Sequence, residues 1–249
     1  MTPLLRLTQR ELLRFIRRPS QLGATLATPL IIWLFLASGF SGQIEGYSGD
    51  LAPGMAILVV LFATVFAGMS LIEDRHAGLL RGVLVSPAPR WTIAGGKLLP
   101  ASIIATLQAL PILAASLALD TPATLPGVFL GTFVLFLAAI AVGGLGLASA
   151  WWIDSPRGFH GLVTAAIMPL WLLSGTVFPG AGEANPDSGS PAGWIQFLQT
   201  INPVAWCARA LDAALAGAPF ADPWALAGAV AFAIAGLAAA TASLGRTSR

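Results

Sequence analysis

The sequence predicts an all-α polytopic membrane protein. It would have six transmembrane helices, an interfacial helix ahead of the first, and an outer re-entrant helical hairpin between spans five and six. Hydrophobic side chains make up 56% of the 249 residues and charged ones only 10%, where soluble domains carry about 25% charge. Mean hydropathy is +0.81. The apolar residues also run continuously for about twenty residues at a time, enough to cross about 30 Å of hydrocarbon as helix. Membrane β-barrels instead alternate over segments of about ten. Scarce charge excludes a disordered chain, and Cys207, the only cysteine, excludes a disulfide framework. Thirteen Lys+Arg against 11 Asp+Glu give a net charge of +2, too small an excess for a nucleic-acid surface.

Residues 4 to 18 come first. At 100° per residue Arg6, Arg10, Arg14, Arg17 and Arg18 share one side, while Leu4, Leu5, Leu12, Phe15 and Ile16 share the other; Leu7 and Leu13 break the pattern. That describes a helix lying flat in the membrane interface, its arginines near anionic head groups, with Pro19 ending it. A positively charged flank that only fixes topology is the plainer reading. The crossings follow at about 21 to 40, 51 to 72, 98 to 119, 125 to 150, 159 to 178 and 224 to 244. Pro29, Pro111 and Pro169 fall inside them, where neighbouring helices satisfy the freed backbone groups. The first span, with Ala37-Ser38-Gly39 near its end, competes with a cleaved secretory signal. Its long charged leader, and the five crossings that cleavage would leave, argue against that.

Charge sets the orientation. With the N-terminus inside, Arg75, Arg81, Arg90, Lys97, Arg157, Arg246, Arg249 and the N-terminal arginines all fall in the cytoplasm and only Arg209 outside. Trp91, Trp151 and Trp152 then mark the inner interface, and Trp194 and Trp224 the outer one.

Two stretches outside the spans carry more than a connection requires. Residues 73 to 97 form the longest cytoplasmic link; Leu80 and Leu84 lie one turn apart, Gly78 permits close backbone approach, and Ser86-Pro87 stops the segment. Such an element suits a groove on a partner, although an ordinary charged loop has the same composition. On the other side, residues 180 to 190 read as a solvated turn-rich hinge. The apolar stretch 191 to 218 reads as a hairpin broken at Asn202-Pro203, each half too short to cross alone. Arg209 and Asp212 are spaced to pair on its second half, and a plain surface helix is the alternative there.

Catalysis within the bilayer finds little support. Ser174 would need a histidine, but His160 lies about 21 Å away along a straight helix and His76 on the opposite side. Two separated histidines and one cysteine do not make a zinc site. The spans hold no ionisable group beyond His160 at a margin, which speaks against ion-coupled transport. Gln108 reads as a helix-to-helix hydrogen bond, and Gly143, Gly144, Gly146, Ala148 and Ser149 as a close-packing face, internal or against a second copy. Gly95-Gly96-Lys97 lacks the remaining residues of a P-loop, so work against a gradient would draw energy from another polypeptide.

Three motifs in corresponding order resemble the permease subunit of type-2 ABC transporters, an exporter family that includes drug, polysaccharide and lipid-linked glycan permeases. The first runs Asp74-Arg75, Gly78, Leu80-Arg81, Leu84, Ser86-Pro87, Arg90 and Gly96-Lys97. The second is Leu173-Ser174-Gly175 with Phe178-Pro179, and the third Asn202-Pro203. Leu79, Pro89 and Asp212 depart from the family's customary threonine, serine and arginine.

The resemblance implies a homodimer of six-span subunits in the cytoplasmic membrane of a prokaryote, with both termini in the cytoplasm. Each would sit on a separate ABC ATP-binding subunit that holds the ATP and Mg; this chain would bind no cofactor or metal and have no catalytic residues. It further implies that Asp74, Arg75, Gly78, Leu80, Arg81, Leu84, Ser86 and Pro87 couple to the ATPase, with Leu80 and Leu84 as anchors. Ser174, Gly175, Phe178, Pro179, Asn202 and Pro203 would form an outer gate and re-entrant hairpin. An intramembrane hydrolase or protease, and a non-transporting membrane scaffold, are the other classes.

Overall fold

The computed structural model describes residues 3–40, 47–79, 89–117, 123–153, 155–176, 193–218 and 220–245. Among them the regular elements are all helices: α1 (Pro3–Ile16), α2 (Pro19–Phe40), α3 (Tyr47–His76), α4 (Arg90–Ser116), α5 (Leu125–Trp152), α6 (Pro156–Leu172), α7 (Gly193–Ile201), α8 (Pro203–Leu215) and α9 (Pro223–Gly245). Several begin with the same local chemistry, a short polar cap followed by proline, which needs no amide partner at the first turn. Thr124 accepts the Gly127 amide at 3.1 Å, Ser155 that of Gly158 at 3.1 Å, and Asn202 that of Val204 at 2.9 Å. Proline follows each cap within two residues.

Five helices are long and apolar enough to cross a membrane: α2, α3, α4, α5 and α9. The expected crossing at 159 to 178 is the difference. Its helix, α6, has 17 residues, about 26 Å at 1.5 Å each, and ends at Leu172. There the Leu173 amide bonds the Pro169 carbonyl, the Ser174 amide bonds that of Trp171, and Gly175 takes φ +88°. Composition counts apolar residues; the turn decides where the helix stops.

The link expected over 73 to 97 is also shorter. α3 continues through His76 and α4 already begins at Arg90. Helix can extend over Glu73, Asp74 and Lys97 because each finds an ionic partner inside the fold.

α3 forms the axis of the molecule, with α2, α4, α5, α6 and α8 packed against it. Leu51, Met55, Leu58, Leu61, Leu71 and Ile72 along it are fully buried. α6 runs antiparallel beside it, since Phe159 fills the space over Gly68 and Trp171 donates its indole N–H to the Gly54 carbonyl at 2.9 Å. In lipid such association comes from close packing, not from exclusion of water. The glycine-rich face of α5 serves that purpose within this chain: a Cβ on Gly144 would lie 2.3 Å from the Gly236 carbonyl oxygen of α9. Gln108 ties α4 to α2, donating to the Leu22 carbonyl at 2.9 Å and to Thr25 at 3.2 Å, the helix-to-helix bond expected of a polar side chain in an apolar span.

Candidate functional site

At one end of the bundle α1 folds back across α3 and α4. Phe15 meets the Phe66 ring edge-on at 6.2 Å between centroids, and Leu7 rests where a Cβ on Gly96 would collide with it. One turn of α3 presents Ser70, Glu73 and Asp74; α1 presents Arg10, Glu11 and Arg14, with Arg18 just beyond its end; α4 contributes Lys97. The spacings of three and four residues place each set on one helix face.

Lys97 is at the centre. Its ammonium donates to Asp74 Oδ2 at 2.6 Å, to the Ser70 hydroxyl at 3.0 Å and to Glu11 Oε1 at 3.3 Å, which uses all three of its protons. Asp74 Oδ1 accepts from Arg14 at 2.9 Å and from Arg10 at 3.4 Å. Ser70 in turn donates to Glu11 Oε2 at 2.9 Å. Glu73 closes the outer edge, accepting from Arg14 at 2.5 Å and Arg18 at 3.0 Å. Glu11, Asp74 and Lys97 are 2%, 3% and 7% exposed. Burial works to lower the Arg14 pKa, but the negative charges of Asp74, Glu11 and Glu73 outweigh it and the net direction is upward.

Such a cluster contributes little net stability, because desolvation offsets most of the attraction. It fixes geometry instead: three helices are held in one register at the point where α3 ends. The next residue, Arg75, points the other way. It donates to the Trp151 carbonyl at 2.9 Å and lies 4.9 Å over the Trp151 ring, capping the end of α5. Gly78 then turns the chain with φ +71°, a conformation costly for any residue with a Cβ.

A second cluster lies at the opposite end of α3. Ser174 donates to the Trp171 carbonyl at 2.6 Å and lies 2.9 Å from the Thr176 hydroxyl, while Thr176 fills the space over Gly54. Asn202 caps α8 with its side-chain oxygen, and its amide N–H donates to the Leu170 carbonyl of α6 at 2.7 Å. Arg209 of α8 pairs with Asp222 at 3.5 Å, before α9.

The ABC-2 type transporter family model matches residues 2–216, most of the chain. The chain belongs to this family. It is a type-2 ABC permease, as the three motifs imply. Over 166 residues, 64% of the chain, it is 32% identical to an Escherichia coli (strain K12) protein named as a probable multidrug ABC transporter permease, YbhR. That match spans 41% of the relative's length, less than half of it. A Porphyra purpurea protein named as a transport permease, ycf38, is 23% identical over 210 residues, 80% of the chain and 69% of the relative.

In this permease the residues singled out from the sequence separate into groups. Asp74 is turned inward to Arg14 and Lys97, and Arg75 to α5, so both take partners within the chain. Gly78 has no atom within 4 Å of where a Cβ would stand; it serves the turn and not a close approach. Leu80, Arg81, Leu84, Ser86 and Pro87, like Phe178 and Pro179, lie outside the described residues. Ser174 and Asn202 meet at the C-terminal end of α6, with Gly175 at its turn and Pro203 opening α8. Ser174, bonded to its own helix, has no histidine at hand: His160 sits exposed in the first turns of α6 and His76 is exposed at the far end of α3. Glu11 and Ser70 escaped the sequence reading. The available signal was a lone acid among five arginines in the first eighteen residues.

Proposed function

We propose that this permease is the membrane half of an ATP-driven exporter in a prokaryotic cytoplasmic membrane. In this reading two copies form the pathway, each seated on a separate ATP-binding subunit that holds ATP and Mg. Both termini and α1 face the cytoplasm, α6 completes the sixth crossing with the turn that follows it, and α7 and α8 form the re-entrant hairpin. The segment from Leu80 to Pro87 enters a cleft on the ATPase, with Leu80 and Leu84 as anchors and Arg81 orienting the contact. Asp74 and Arg75 act from behind, holding the root of that segment to α1, α4 and α5.

One observation supports this above the others. The ion cluster ties α1, α3 and α4 together a few residues before the segment begins, so a push there would move them as one body. The same rod of α3 reaches the Ser174 cluster, where export would open the pathway outward. A non-transporting scaffold would not need a rigid joint at that position.

Amphiphilic drugs are the first cargo to assay, given the name of the Escherichia coli relative. Leu84→Glu, reconstituted with the ATP-binding subunit, is expected to abolish stimulation of ATP hydrolysis and cargo efflux while leaving the chain folded. Full stimulation and efflux by this variant would refute the assignment.

A further inference from the structure

Around its axis α1 carries three different surfaces. Glu11 and Phe15 face α3 and α4 and are buried. At 100° per residue the exposed side then runs from Leu5 and Ile16, through Gln9 and Leu13, to Arg6, Arg17 and Arg10. Leu5, Leu13 and Ile16 are 54%, 48% and 64% exposed. The arginines line an open groove of about 640 Å³.

Charge on this side is unbalanced. Glu11, the only acid from residue 3 to residue 18, is spent on Lys97 and Ser70. Arg10 spares only a 3.4 Å contact to Asp74, and Arg6 and Arg17 have no ion-pair partner among the described residues. The exposed charge on this side is therefore positive and suits an anionic partner. A free phosphate would satisfy the arginines but leave the leucine and isoleucine beside them in water. A protein surface with only acidic groups would do the same. A lipid satisfies both, since its phosphate sits at the height of the guanidinium groups and its chains begin where Leu5 and Ile16 point.

We propose that Arg6 and Arg10 of α1, with Arg17 in the turn that ends it, bind the phosphate headgroup of an anionic phospholipid in the leaflet bordering α1, with Leu5 and Ile16 set among its chains. The site is independent of the ATPase reading and would stand if that reading fell.

The test uses the full chain purified in detergent, with lipid retention read by native mass spectrometry. Phosphatidylglycerol and phosphatidylcholine of identical chains are offered together, with and without inorganic phosphate. The wild type is expected to retain phosphatidylglycerol roughly tenfold over phosphatidylcholine. Arg6→Gln/Arg17→Gln should bring the ratio close to one, while Arg6→Lys/Arg17→Lys and Arg157→Gln preserve most of it. Both replaced arginines lie outside the ion cluster, so the fold is expected to survive, and an unchanged helical circular dichroism spectrum checks this. Equal retention of the two lipids by the wild type, or undiminished preference in the double glutamine variant, would overturn the proposal. So would loss of the preference on adding millimolar phosphate, which would assign the groove to a free anion.

Discussion

Lys97 holds three partners and none is dispensable without consequence. Replacing it by methionine leaves Glu11 and Asp74 buried with their main counter-charge gone, a situation that typically costs about 3–5 kcal/mol. Lys97→Met is therefore expected to unfold at markedly lower denaturant or temperature in detergent. Lys97→Met/Glu11→Leu should recover part of the loss, because Asp74 keeps Arg14 at 2.9 Å. A single-variant loss below about 1 kcal/mol, the range of exposed pairs, would show the cluster to be solvated. Arg14 behaves differently with pH. Its raised pKa means its contribution is complete below the unfolded value and lost only above the folded one. Between about pH 5 and 9 it adds no slope to the stability curve.

Asp74, Arg75 and Lys97 were legible in the sequence as charges at the ends of apolar runs. Their partners were not. Glu11 lies 86 residues from Lys97 and 59 from Ser70, and periodicity within one helix says nothing about which distant helix folds back on it.

Among the helices, the caps and the glycine contacts give the sharpest expectations. Asn202→Ala removes the α8 cap and the bond to Leu170 together, so a loss of about 1–2 kcal/mol is expected. Faster amide exchange at the start of α8 would be its local sign; unchanged exchange there would show the cap to be redundant. Gly144→Val drives a side chain into the Gly236 backbone of α9 and should destabilise by about 1–3 kcal/mol or more. Gly23→Ala, with open space around it, is expected to be neutral or slightly stabilising in the same thermal assay. Element positions followed from hydropathy because the apolar runs are long and charges fall between them. Hydropathy could not see the end of α6, which rests on a positive φ at Gly175 and the Ser174 return bond. The break at Asn202-Pro203 was visible because a capping amide and a proline announce a helix start.

Across the whole molecule, α3 is the structural link between the two clusters. From Gly54, which accepts the Trp171 indole, to Asp74 in the ion cluster are twenty residues, about 30 Å of buried helix. A rod of this kind can pass a displacement from one face of the membrane to the other without bending, and in the proposed function it does so when an ATPase moves the segment beyond Gly78. The most direct measurement places a photo-crosslinking phenylalanine derivative at Leu84 in native membranes and identifies what it captures. The expected capture is a protein whose peptides include a P-loop, with the yield falling severalfold when Asp74→Asn loosens the root of the segment. Capture of lipid alone, or a yield indifferent to Asp74→Asn, would contradict it.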